Sequence, residues 1–211
     1  MMKLYTVPLA PNPMRVTLYV AEREARGAAF GIESIIVNTL KGRQREPEHL
    51  ARNRFGTLPV LKLETGEYLT ESLSIIDYLE ERFPEGRLLG IDPKQRALAR
   101  NIERTLEMRV TFDLGWYVHY QKSPLGWEPN YQKAKELAER IQPGLDYAES
   151  LFADGRQFLT GDQSNTADCT LAAFLQFMRF TETDLLGDRP ALRQWDQMYR
   201  SQPHLASLFM V

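Results

Sequence analysis

One cysteine, Cys169, stands in a chain of 211 residues, so no internal disulfide can form and no CxxC pair exists for dithiol redox chemistry. No run of about 18 apolar residues occurs, which excludes a membrane-spanning helix. Met1-Met2-Lys3 leads straight into a strand-like segment, without the charged and apolar regions of a signal peptide, and the cytoplasm is the expected compartment. Neither sign of charge dominates: 26 Lys and Arg face 28 Asp and Glu, for a net charge of −2. No uniform basic field is available to hold nucleic acid or an anionic membrane, and neither is an expected partner. His49, His119 and His204 show no metal-ligand spacing such as HExxH, so no metal is implied. What is present is globular: 43% hydrophobic and 26% charged residues, a mean hydropathy of −0.40 and 24.4 kDa, enough for one large domain or two small ones.

The first eighty residues mix two periods. Leu4 to Val7 reads as a short buried strand, and Met14 to Arg26 carries apolar residues at helical spacing. Ile32 to Val37 is β-branched and reads as a second strand, followed by a polar, irregular helix within 44–54. Leu58 to Leu63 and Glu67 to Leu69, separated by Glu64-Thr65-Gly66, form a hairpin pattern, and a helix follows from Ser72 to about Phe83. Beyond it, Pro84-Glu85-Gly86-Arg87 and Gly90-Ile91-Asp92-Pro93 punctuate a linker, and nothing later alternates like a strand. The expected fold class is α+β in two domains: a βαβαββα unit over 1–83, a linker over 84–92 and an all-α helical bundle over 93–211. In the helix from Pro93 to about Gln121, Leu98, Ile102, Leu106, Val110 and Leu114 follow one side. Asn101, Thr105, Met108 and Phe112 follow nearly the opposite side, which is left for the core, a cleft or a partner chain.

Three places could carry chemistry. Leu58-Pro59 enters a strand with a residue that donates no hydrogen bond, which a cis bond is one way to accommodate. Thr70-Glu71-Ser72 opens a helix, either as an anion site made of orphan amides and a serine hydroxyl or as a simple cap. Ala10-Pro11-Asn12-Pro13 opens another, with Asn12 as a cap or as a donor that, with the helix end, lowers a ligand thiol's pKa.

Set in order, Leu4-Tyr5, Pro11-Asn12-Pro13-Met14-Arg15-Val16, Lys41-Gly42, Asn53 to Leu61, Leu69-Thr70-Glu71-Ser72, Ile75 to Glu80 and Pro84 resemble a cytosolic glutathione transferase of bacterial type. In the helical half, Leu159-Thr160-Gly161-Asp162 and Asn165-Thr166-Ala167-Asp168 resemble that family's capping box. The resemblance implies a thioredoxin-like domain that binds glutathione as co-substrate, a helical domain that supplies the second substrate's pocket, and a homodimer. Carried over by position, Glu71 and Ser72 hold the γ-glutamyl end, Leu58 pairs its backbone with the cysteinyl part beside a cis Pro59, and Gln44 and Arg45 grip the glycyl carboxylate. Arg45 also reads as a plain surface charge among Arg43, Glu46 and Glu48.

One position departs from the pattern. The serine that activates the thiol in many members lies five residues before the arginine of the first helix, and here that position is Ala10. Asn12 is the chosen catalytic residue, as in some bacterial members, with Tyr5 as the tyrosine-type candidate and Thr6 a remote second. Met108, Phe112, Trp116 and Tyr117 suggest an apolar or aromatic small-molecule electrophile. The resemblance implies transfer of the glutathione thiolate to that electrophile, in detoxification. The alternatives are glutathione-dependent disulfide reduction and, because Ala10 lacks a hydroxyl, a non-catalytic glutathione-fold binding module. Cys169 reads as a buried, inert thiol among Leu171, Ala172 and Phe174.

Overall fold

The computed structural model describes residues 1–209, which divide into two compact units, Met1–Arg87 and a second that begins at Leu88. That division falls inside the 84–92 segment.

The first unit runs β1 (Met2–Thr6), α1 (Pro11–Ala25), β2 (Ile32–Ile36), two 3-10 turns (Thr39–Lys41 and Arg43–Arg45), α2 (Pro47–Leu50), β3 (Val60–Lys62), β4 (Tyr68–Leu69) and α3 (Ser72–Arg82). The strands lie in the order β2-β1-β3-β4, with β1 parallel to β2 and antiparallel pairing elsewhere. This is the thioredoxin-like βαβαββα arrangement. Alternation along β1 sends Met2 and Leu4 to one face and Tyr5 to the other. Tyr5 packs with Val37 and Val60, against Ile35, Leu58 and Tyr68. Helices α1 and α3 pack together through apolar faces that include Met14, Leu18, Ile75, Ile76 and Leu79, all buried.

A buried polar knot fastens the end of α3. Arg23 on α1 pairs with Glu80 at 2.9 Å and donates to the carbonyls of Phe83 (2.6 Å) and Glu85 (2.7 Å). Tyr19 donates to Glu80 at 3.0 Å, and burial holds its phenol far above the ordinary pKa. Two buried charges are tolerated because each is matched by a partner of opposite sign or a hydrogen-bonding group.

The second unit is all-helical: α4 (Pro93–Leu106), a π-helical segment (Glu107–Thr111), α5 (Phe112–Lys122), α6 (Tyr131–Ser150), α7 (Thr166–Phe180) and α8 (Pro190–Arg200), with a closing 3-10 turn (Ala206–Leu208). None of the described helices is long and apolar enough to cross a membrane. The sequence predicts one regular helix over 93–121, whereas the structure interrupts it with the π segment. A four-residue step overshoots an α-turn by about 40°, so a long i, i+4 stripe winds off its face, and a wider π-turn takes the drift back. Ile102, Leu106, Val110, Leu114 and Val118 are accordingly all buried, while Leu98, ahead of the bulge, is exposed. Gly144 on α6 lets the bulge come close, because a Cβ there would lie 2.6 Å from Val110 Cγ2 and 2.8 Å from the Arg109 carbonyl.

The starts of α4, α6, α7 and α8 are closed by side chains, while α5 continues directly from the π segment. Asp92 accepts from the amides of Lys94 and Gln95, and Asn130 accepts from Lys133. At α7 the expected capping box is present: Asn165 Oδ1 accepts from Ala167 N at 2.8 Å and Asp168 Oδ2 from Asn165 N at 3.0 Å. Asp168 also accepts from Leu159 N at 3.1 Å. Glu149 on α6 reaches across to the amides of Ala191 and Leu192 at the start of α8. Cys169 is fully buried, its Sγ 3.6 Å from the Tyr199 hydroxyl.

Candidate functional site

Strand directions gather the candidate residues of the first unit. β1 and β2 are parallel, β3 opposes β1, and β4 opposes β3, so the carboxyl ends of β1, β2 and β4 share one edge of the sheet with the amino end of β3. From that edge depart the loop to Asn12, the segment with Gln44 and Arg45, the turn through Leu58 and Pro59, and the turn to Glu71 and Ser72. Ligands in open α/β sheets bind outside the carboxyl ends of the strands for this reason.

Two helices begin at this edge, and neither has a side-chain cap. The N-cap residue of α3 is Glu71, with Ser72 as first helical residue, buried at 6% exposure. The first intrahelical bond runs from Ile75 N to the Glu71 carbonyl, so the N–H groups of Ser72, Leu73 and Ser74 precede it. Glu71 is the N-cap residue and no side-chain cap bond is made, so the simple-cap reading of Thr70 and Ser72 fails; the N–H groups ahead of the first intrahelical bond are those an anion would meet at a helix start. Helix α1 starts at Pro11 with Ala10 at the N-cap, so Asn12 does not cap it but lies inside its first turn, exposed. Pro11 and Pro13 carry no N–H, which leaves Asn12 as the main-chain donor ahead of the bond from Met14 N to the Ala10 carbonyl.

Tyr5 is buried beneath Arg52, whose guanidinium carbon sits 4.1 Å from the ring centroid. Thr6 is buried as well, its carbonyl accepting from Val37 N. The Leu58–Pro59 bond is cis. Leu58 is half-buried, Arg45 is exposed with Nη1 3.3 Å from the Phe55 carbonyl, and Gln44 Oε1 is sheltered without a partner among the described residues. A sheltered acceptor of this kind is suited to a ligand N–H.

In the helical unit, Met108 (55% exposed), Phe112 (63%) and Trp116 (41%) form an open apolar stripe at four-residue spacing. Trp116 lies 6.3 Å from Trp127 and 6.0 Å from Tyr120 between ring centroids. His119 stacks on Trp127 at 4.5 Å and approaches Ser123 Oγ through Nδ1 at 2.9 Å, and burial lowers its imidazole pKa.

Residues 4–87 match the family model for the glutathione S-transferase N-terminal domain, and residues 124–195 match that for the C-terminal domain. The chain belongs to the glutathione S-transferase family. It is 26% identical to glutathione S-transferase 2 of Saccharomyces cerevisiae over 214 residues, spanning 100% of this chain and 90% of that protein. It is 38% identical over 179 residues to maleylacetoacetate isomerase of Pseudomonas aeruginosa, covering 81% of this chain and 78% of the relative. The crystal structure of Gtt2 from S. cerevisiae superposes with a TM-score of 0.86 at 25% identity, over 98% of this chain and 100% of that one.

Within this glutathione S-transferase, the expected site residues of the first unit flank one sheet edge, except that Tyr5 lies under Arg52 in the core. Sequence reasoning missed two histidine partners. His49 reaches the Thr57 carbonyl, which only the fold reveals, while His119 and Ser123 had a legible i, i+4 spacing. Asn53, which stands out in the sequence only as the start of the 53–61 run, makes three hydrogen bonds within the loop before Leu58.

Proposed function

We propose that this glutathione S-transferase conjugates the thiolate of glutathione to an electrophilic, apolar or aromatic small molecule. The observation that carries the reading is the pair of uncapped helix ends at one edge of the sheet. In this reading Glu71, Ser72 and the α3 amides hold the γ-glutamyl end, and Leu58 pairs with the cysteinyl backbone. Gln44 accepts from the ligand, and Arg45 meets the glycyl carboxylate through a charge-assisted bond. The thiol reaches the start of α1, where the Asn12 side chain, its amide and the helix dipole favour the thiolate. The thiolate then attacks the electrophilic carbon, forming a C–S bond as the leaving group departs. Met108, Phe112 and Trp116 supply apolar contact for the second substrate.

The test is purified protein assayed with glutathione against a panel of aryl halides, and in parallel against a mixed disulfide. Conjugation without disulfide cleavage supports the reading; disulfide cleavage alone replaces it with the reductase. Glutathione binding with neither activity replaces it with a binding module. The 38% identity to an isomerase favours a second reading, glutathione-dependent isomerisation, which turnover of maleylacetoacetate would support. A homodimer in the cytoplasm completes the proposal. Sedimentation is expected to give twice 24.4 kDa at micromolar concentration, and a 24.4 kDa species defeats the dimer.

A further inference from the structure

The loop before Leu58 is held from beneath by two buried side chains. Asn53 is 3% exposed and His49 2%. Both converge on one oxygen: Asn53 Nδ2 donates to the Thr57 carbonyl at 3.0 Å, and His49 Nε2 meets it at 3.2 Å. A carbonyl only accepts, so Nε2 carries the proton. Asn53 Nδ2 also lies 2.8 Å from Thr57 Oγ1, and Asn53 Oδ1 accepts from Phe55 N at 3.1 Å.

The Thr57 carbonyl and the Leu58 N–H belong to one planar peptide unit, so fixing the direction of the oxygen fixes the direction of the hydrogen. The same loop presses on the neighbouring segment at Gly56. Its φ is +62°, and a Cβ there would lie 2.8 Å from the Gln44 carbonyl and 3.2 Å from Arg45 Nη1. Arg45 in turn donates to the Phe55 carbonyl.

We propose that Asn53 and His49 are positioning residues for glutathione, which aim the Leu58 N–H at the cysteinyl backbone and, through Gly56, set Gln44 and Arg45 for the glycyl end. The proposal rests on the glutathione-binding reading above. One loop then determines the distance between two parts of the ligand that no single side chain spans.

The experiment is calorimetric titration of the intact protein with glutathione and with γ-glutamylcysteine, which lacks the glycyl arm. Each lost neutral hydrogen bond costs roughly two- to twelvefold in equilibrium terms. Asn53→Ala is expected to bind glutathione about tenfold more weakly and γ-glutamylcysteine about threefold more weakly. His49→Ala is expected to lose about threefold for glutathione, with recovery in His49→Gln, whose amide can donate to the same carbonyl. Gly56→Ala, strained and crowded against Gln44, is expected to penalise glutathione more than γ-glutamylcysteine. Should Asn53→Ala not fold, the two His49 variants and Gly56→Ala carry the test. A parent that binds no glutathione removes the underlying reading and the proposal with it. A parent that binds, with folded variants binding like it, overturns the proposal alone. Equal losses for both ligands overturn the link through Gly56 to the glycyl end.

Discussion

Helix starts are treated differently in the two units. In the helical unit α4, α6, α7 and α8 are each closed by a carboxylate or amide side chain, even where Glu149 must reach across from another helix. In the sheet-containing unit α1 and α3 begin with no side-chain cap. Substituting a good cap by alanine costs about 0.5–2 kcal/mol, so a helix start without one gives up stability of that order. The difference is the one expected if the first amides of α1 and α3 are left for a ligand, as the proposed function requires.

The strongest way to break the comparison is at α7. Asp168→Ala removes a buried carboxylate that accepts from Asn165 N, Asn165 Nδ2 and Leu159 N. The expected loss in urea unfolding is on the order of 3–5 kcal/mol, because three buried hydrogen bonds to a charged acceptor, each worth about 1.5–3 kcal/mol and not fully additive, are lost together. A loss below about 1 kcal/mol would mean that α7 does not depend on its box.

At α3 the expected effect moves from stability to binding. Glu71→Ala and Ser72→Ala should each weaken glutathione binding by about 1.5–3 kcal/mol, the range for hydrogen bonds to charged groups. Glu71→Ser sharpens the contrast, because it installs a cap: a gain of about 0.5–1 kcal/mol in stability is expected together with weaker glutathione binding. Variants that bind like the parent would remove α3 from the site.

At α1 the effect is smaller. Asn12→Ala deletes one neutral donor to the glutathione sulfur, worth about 0.5–1.5 kcal/mol as an ordinary bond and up to about 3 when the acceptor is the charged thiolate, while the dipole and the main-chain amide remain. The thiolate is the form that loses, so the bound thiol's pKa rises and the activity profile moves to higher pH. Thiolate absorbance against pH is the measurement, and an unmoved midpoint rejects Asn12. The smallest effect is expected of Tyr5→Phe, whose ring keeps its packing under Arg52; its midpoint should stay within about 0.3 pH units of the parent, and a raised one would return the thiol role to Tyr5.

The βαβαββα order was legible because β-branched runs, the Glu64-Thr65-Gly66 turn and the apolar spacing of α3 are local signals. The gathering of Asn12, Gln44, Leu58 and Ser72 along one edge was legible only through the family resemblance, since strand direction is not written in any single segment. The first turn of α1 was misread because proline fits several early helical positions, so Pro11-Asn12-Pro13 admits two starting points. Tyr5 was ambiguous for a different reason. Alternation shows that it leaves the Leu4 face, but its cover, Arg52, comes from elsewhere in the chain. The π segment has no local signature either, and Gly144, which makes room for it, lies on another helix.

The Arg23 knot has a bearing on how the first unit opens. Its guanidinium grips the carbonyls of Phe83 and Glu85, while Arg87 Nε donates to the Glu80 carbonyl at 2.9 Å. Peeling 83–87 away would strip acceptors from a buried cation, at a cost no frayed terminus bears. The exit of the unit is thereby welded into its cooperative core, so its amides should exchange with solvent only when α1 and α3 separate, and a protease should find no foothold there in the native state.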